Sequence, residues 1–243
     1  MGVAVLERIG NIVSPSPEMV AETVPLADPE FDRPGPDTDN GVRKMTTEEI
    51  PQTAQSLAEA FAKDPHFAYI INQHGEQLIR RLGQGIATFL EHNWLPKGEV
   101  YTHDKQFGAA IWAPPGQWHD SPIDQFRLLP ALAGKTGPAD IFRLLNVLGF
   151  VENKHKEIEH KFGEHYYLAM LGVTPEWQGK GWGDALMKPV LERCDEEGVP
   201  AYLEASTPRN VPLYERNGFE VIAKGHYRGA TELLHFMWRE PAD

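Results

Sequence analysis

The chain has 243 residues, 41% of them apolar and 24% charged, enough for one substantial core with appendages. Its formal net charge of -12 argues against nucleic-acid binding, which needs lysines and arginines to displace counterions from phosphate. A single cysteine, Cys194, excludes a disulfide-stapled scaffold, and no apolar run is long enough to cross a bilayer, so a soluble cytoplasmic protein with no membrane partner is expected.

In chain order, residues 1–41 read as a Pro-rich acidic N-terminal arm. Pro15, Pro17, Pro25, Pro29, Pro34 and Pro36 punctuate it, and Asp28, Glu30, Asp32, Asp37 and Asp39 charge its second half. Such a stretch buries too little surface to offset its ordering entropy, although a short helix over Val3 to Ile12 is compatible with its pattern. Residues 42–243 read as a single domain that opens on a short strand, "VRKM". A helix follows: Thr46 and Glu49 have capping-box spacing, Ile50, Ala54, Leu57, Ala58 and Phe61 recur at helical intervals, and Pro65 ends it. Leu78, Leu82, Ile86, Phe89 and Leu90 stripe a second helix over Gly75 to Trp94.

"EVYTHD" and "FGAAIWAPP" form a hairpin around a polar Asp104–Gln106 turn. Residues 121–160 read as a helical insertion in two pieces, Phe126 to Leu132 and Ile141 to Leu148, around a Gly134–Pro138 break. Strand and helix then alternate: strand Tyr166–Val173, helix Gly183–Glu197, strand Ala201–Ala205, short helix Val211–Asn217, and strands Phe219–Ile222 and Glu232–Trp238.

Between the strand "YYLAMLGV" and the helix lies "QGKGWGD". Glycines there permit backbone angles other residues avoid and leave the N–H groups unobstructed, so an anion can be held at the helix N-terminus. Neither familiar phosphate loop fits. Gly179-Lys180 is followed by Gly181 rather than a hydroxyl residue for magnesium, and the dinucleotide fingerprint would need glycine where Asp184 stands. Spacing alone does not refute a plain tight turn, the commoner reading of an isolated G-x-G.

The surrounding residues supply a context. "QGKGWG" resembles the Gln/Arg-x-x-Gly-x-Gly/Ala motif of the GNAT superfamily of N-acetyltransferases, and "LYERNGFE" resembles its tyrosine followed by a Gly-Phe strand start. His165 to Ile222 is similar to puromycin N-acetyltransferase-like members in "GVTPEWQGKGWG", "GVPAYLEAS" and "PRNVPLYERNGF". The resemblance implies an α/β (α+β) GNAT fold: a mixed, mostly antiparallel sheet flanked by helices, whose fourth and fifth strands splay to admit acetyl-CoA. It also implies that the pyrophosphate rests on Gln178, Gly179, Lys180, Gly181, Trp182 and Gly183, with Asp184 at the helix start. Leu171, Gly172 and Val173 would pair with the pantetheine, and Asn210 and Tyr214 would contact the coenzyme.

Acetyl transfer from a thioester needs a neutral amine and a proton for the departing thiolate, yet an alkylamine is neutral only about one part in a thousand at pH 7. By resemblance Tyr214 is the general acid; read alone, it fits a core tyrosine as well. Glu204 is the candidate base, because Tyr202, Glu204 and Ser206 share one strand face, though a carboxylate in a structural network reads the same way. A backbone N–H at Leu171 or Gly172 would meet the oxyanion. Cys194 lies on an apolar helix face and reads as core rather than acetyl carrier.

No metal is expected: His155, His160 and His165 are five apart, off any single helical face, and read as part of a solvated helix. Phe67, Tyr69, Trp112 and Trp118 offer aromatic walls for an acceptor, with the 121–160 helices as a lid. The implied activity is acetylation of a small-molecule primary amine by direct attack in a ternary complex. Peptide or protein acetylation and a non-catalytic acyl-CoA sensor are the alternatives. The oligomeric state stays open, with a homodimer the assembly the superfamily resemblance suggests.

Overall fold

The structure, a computed structural model, describes residues 41–118 and 138–242. The expected arm, its short helix and the first piece of the 121–160 insertion lie outside the described residues. The described residues build one seven-stranded sheet in the order β1-β2-β3-β4-β5-β7-β6. Its strands are β1 Val42–Lys44, β2 Glu99–His103, β3 Gly108–Ala113, β4 Tyr166–Val173, β5 Ala201–Ala205, β6 Glu220–Gly225 and β7 Leu234–Arg239. Only β4 and β5 pair in parallel; the other neighbours are antiparallel.

Helices cover both faces. Helix α1, Ile50–Ala60, follows a 3-10 turn over Thr47–Glu49, and the Thr46–Glu49 capping box forms as its spacing predicts. Its stripe of Ile50, Ala54, Leu57 and Ala58 is buried. The sequence reading missed α2, Pro65–Ile71, by taking Pro65 only as a stop. Asp64 accepts from the His66 and Phe67 main-chain N–H groups at 2.9 and 3.2 Å, so Asp-Pro is here an N-cap followed by proline at the first helical position. Helix α3, Gly75–Phe89, continues through a π turn over Leu90–Trp94, and α4 spans Pro138–Phe162.

These four helices bury one sheet face around Leu57, Leu78, Leu90, Ile158 and Phe236. A fully buried leucine contributes roughly 1.5–3 kcal/mol relative to an exposed one. The other face is covered by α5, Trp182–Glu197, and α6, Val211–Glu215, with Leu186, Val190, Cys194, Leu203 and Tyr214 packed there. Strand alternation therefore sends Tyr202 and Glu204 toward α1–α4, and Leu203 and Ala205 toward α5.

At Gly172 the α1 side of the sheet is bare backbone. A Cβ there would stand 2.9 Å from Leu57 Cδ2, 3.0 Å from Phe61 Cε2 and 3.1 Å from Ala60 Cβ. The end of α1 thus rides directly on the β4 main chain.

Candidate functional site

The parallel pairing of β4 with β5 is brief: Tyr166↔Ala201, Tyr167↔Tyr202 and Leu168↔Leu203. Beyond it β4 runs on to Val173, paired with β3, while β5 ends at Ala205, paired with β7. The sheet therefore forks just past Leu168 and Leu203. Across the β3–β4 ladder, Ile111 pairs with Met170 but Trp112 with Leu168, so Ala169 is an extra residue at the root of the fork. A bulge at that point re-aims the local N–H groups.

At the open end of β4 the chain passes through a 3-10 turn, Pro175–Trp177, into the glycine turn. Gln178 Nε2 donates to the Val173 carbonyl at 2.9 Å and folds the turn back on its strand. Gly181 is the N-cap of α5 in the left-handed region, φ 77°, where a side chain is strained. No side chain caps this helix, so its first N–H groups keep their capacity for an anion.

The Asp184 carboxylate is already occupied. Arg216 Nε and Nη2 donate to its two oxygens at 3.0 and 2.9 Å, and Asn217 Nδ2 donates at 2.6 Å. Its negative charge is thereby balanced beside the turn, and Asp184 ties α5 to the end of α6.

A cavity of about 320 Å³ lies over the turn and the open end of β4. Leu171, Gly172, Val173, Gln178, Gly179, Gly181, Trp182, Gly183, Asp184, Asn210 and Tyr214 all line it, together with residues 59–64, the end of α1 and its link to α2. Lys180 does not. Its Nζ donates to the Glu176 carbonyl at 2.8 Å and sits 5.1 Å from the Trp177 ring centre. Gly179 and Gly181 flank it in the left-handed region, at φ 69° and 77°.

Tyr214 reaches the cavity from the α5 side, edge-on to Phe219 at 6.1 Å. Burial, with a further contribution from the Asp64 charge, raises its pKa well above that of a free phenol, so it is protonated at neutral pH. Glu204 does not line the cavity. It stands one residue past the last β4–β5 pair, on the opposite face, so the two groups approach the fork from opposite sides of the sheet.

Glu204 Oε1 and the Tyr202 hydroxyl are both buried without a hydrogen bond of good geometry. Burial pushes the Glu204 pKa up to about 7, against the opposing influence of the neighbouring Tyr202 and Tyr167 hydroxyls. The same burial and the Glu204 charge hold both tyrosines protonated.

Behind these tyrosines the histidines depart from the sequence reading. His155 and His165 are 1% and 0% exposed, and their Nε2 atoms lie 2.6 Å apart. His155 stacks on Trp118 at 3.6 Å and packs on Tyr167 and Tyr202. Five-residue spacing gave no shared helical face because His155 lies on α4 while His165 precedes β4, and the chain turns between them. No group of three or more metal-ligating side chains occurs among the described residues.

Of the expected aromatic walls, Phe67 packs on Phe61 near the cavity. Trp112 is fully buried on the α5 side of the sheet, away from that wall, because β3 alternates: Ala109 and Ile111 face α1, and Ala110 and Trp112 face α5. Cys194 is also buried, its thiol pushed up to about 12, as befits core packing.

A mixed sheet that forks at its single parallel pair, beside an uncapped glycine-rich helix start, is the GNAT fold. Residues 108–219 match the Acetyltransferase (GNAT) family. The fold and the matched segment agree, residues 108–219 holding the fork, the glycine turn and Tyr214. The chain is 27% identical over 182 residues, 73% of each chain, to an uncharacterised N-acetyltransferase of Schizosaccharomyces pombe. Among solved structures it is similar to one from Corynebacterium glutamicum described as histone acetyltransferase HPA2 and related acetyltransferase. That likeness has a TM-score of 0.60 and 24% identity, covering 84% of this chain and 97% of the other. It is also similar to arylalkylamine N-acetyltransferase 2 from Aedes aegypti, with a TM-score of 0.54 and 15% identity over 83% of this chain and 98% of the other. At these identities the structural likeness speaks for the fold alone.

Proposed function

We propose that the protein transfers the acetyl group of acetyl-CoA to a primary amine of a small molecule by direct attack in a ternary complex. The observation that carries this reading is the fork: β4–β5 pairing stops at Leu168 and Leu203, one residue before Glu204 and beside the cavity reached by Tyr214. The coenzyme supplies the activated acetyl group when bound. Its pyrophosphate fits the N–H groups of Gln178 to Gly183, and its pantetheine amides fit the free side of Leu171, Gly172 and Val173.

On this reading Glu204 takes a proton from the amine, directly or through water, being ionised in part at neutral pH yet basic enough to accept. The raised pKa of Tyr214 suits it to hold a proton near the fork for the departing sulfur. A main-chain N–H beside the Ala169 bulge, at Leu171 or Gly172, meets the developing oxyanion. The small amine in the name of the similar Aedes aegypti structure is in keeping with a small acceptor.

The test is to mix the full chain with acetyl-CoA and a panel of small amines and peptides and to follow free thiol. Turnover with small amines supports the reading. Turnover confined to peptide amines moves it to a protein acetyltransferase, and tight acetyl-CoA binding without thiol release moves it to a sensor.

A further inference from the structure

His66 is buried at the second helical position of α2, and both its ring nitrogens are engaged. Nε2 lies 2.8 Å from the Ser206 carbonyl. A carbonyl only accepts, so Nε2 carries hydrogen. In the neutral ring Nδ1 is then an acceptor, and it takes the Tyr227 hydroxyl proton at 2.8 Å. The His66 main-chain N–H donates to Asp64 Oδ1 at 2.9 Å, and Asp64 lines the cavity.

One imidazole thus joins three segments. Ser206 is two residues beyond Glu204, at the start of the connection that carries Asn210 and then Tyr214. Tyr227 belongs to the β6–β7 connection and packs on Tyr69 of α2 at 5.2 Å. The charged or titratable groups around the ring are Asp64, Tyr69 and Tyr227. A general packing role needs no such directed pair of bonds, whereas a fixed distance between the cavity wall and the strand bearing the base does.

We propose that His66 is a positioning residue for acetyl transfer: through Ser206 and Tyr227 it holds the cavity-facing start of α2 in register with the strand that carries Glu204. This rests on the acetyltransferase reading. The hydrogen bonds and ring contact of His66 go to Asp64, Ser206 and Tyr227 rather than to the glycine turn, so its loss is expected to act on the use of the amine and to spare coenzyme affinity. Displacing a wall by about an ångström can cost on the order of 100-fold in rate.

Two amide variants separate the bonds. In His66→Gln the side-chain N–H reaches as far as Nε2 and keeps the Ser206 bond; in His66→Asn it reaches only as far as Nδ1 and loses that bond. Both are compared with the wild type by thiol release, using an amine the wild type acetylates, and by calorimetric titration with acetyl-CoA. His66→Asn is expected to lower kcat/KM for the amine by ~10- to 100-fold with acetyl-CoA Kd within about twofold, and His66→Gln, which loses only the Tyr227 bond, by a smaller ~3- to 10-fold.

Activity of His66→Asn within twofold of wild type, or parallel loss of acetyl-CoA binding, overturns the positioning role. Should that variant fail to fold, Tyr227→Phe decides: a fall in kcat at unchanged acetyl-CoA Kd supports the role, and unchanged kcat overturns it. A wild type that binds acetyl-CoA but releases no thiol with any amine overturns the acetyltransferase reading itself, and the positioning role with it.

Discussion

Replacing Glu204 by glutamine keeps its shape and removes its charge, and the structure sets the size of the response. A carboxyl whose pKa rises from 4.5 to about 7 on folding binds its proton more tightly in the native state. Stability contributed by this group therefore falls as pH rises from the ordinary carboxylate range to about 7, and stays low above it. That difference in proton affinity is worth about 3 kcal/mol. Glu204→Gln is thus expected to be more stable than the wild type by ~3 kcal/mol at pH 8.5 and by under ~1 kcal/mol at pH 5. Urea unfolding at the two pH values measures this, and the other titrating groups cancel in the difference. The same variant is expected to lose thiol release at every pH, whereas wild-type kcat/KM rises with pH through about 7. A variant no more stable than wild type at pH 8.5 would refute the claim that Glu204 is held charged at a cost.

Three further outcomes are expected. Tyr214→Phe should lower kcat by at least ~100-fold with acetyl-CoA affinity unchanged, as read by thiol release and titration; full turnover would remove Tyr214 from the acid role. Gly172→Ala places a methyl group against Leu57, Phe61 and Ala60 and should cost ~1–3 kcal/mol in urea unfolding, with weaker acetyl-CoA binding as α1 lifts from β4. Gly181→Ala forces a side chain into the left-handed region at φ 77° and should cost ~1–2 kcal/mol while weakening acetyl-CoA binding.

Where function rests on local backbone, the sequence was informative. Strands β4 and β5 were bounded residue for residue by their apolar runs and flanking turns, and glycine spacing located the uncapped start of α5. These are short-range properties. What the sequence did not disclose depends on chain reversals. His155 and His165 meet only because the chain turns between α4 and β4, and Tyr167 reaches Glu204 only through the parallel pairing with Tyr202. Asp64 is an intermediate case: Asp before Pro is a legible helix start, obscured here because Pro65 also lies where the preceding helix had to stop. The bulge at Ala169, which puts Ala169 and Met170 on one face of β4, breaks an alternation that the apolar run of β4 does not announce.

The contact between His155 and His165 has a consequence for how the protein meets acid. His165 Nδ1 lies 2.9 Å from the Gly163 carbonyl and must carry hydrogen, so in the neutral pair the facing nitrogen of His165 accepts and that of His155 donates. The pair can share one additional proton without losing its bond. A second would set two N–H groups head to head across 2.6 Å, so this geometry admits one added proton and not two. Burial already lowers the His165 pKa and opposes that second charge. The seam between α4 and the root of β4 is therefore closed by one N–H held between two buried rings, beside the tyrosines that adjoin Glu204.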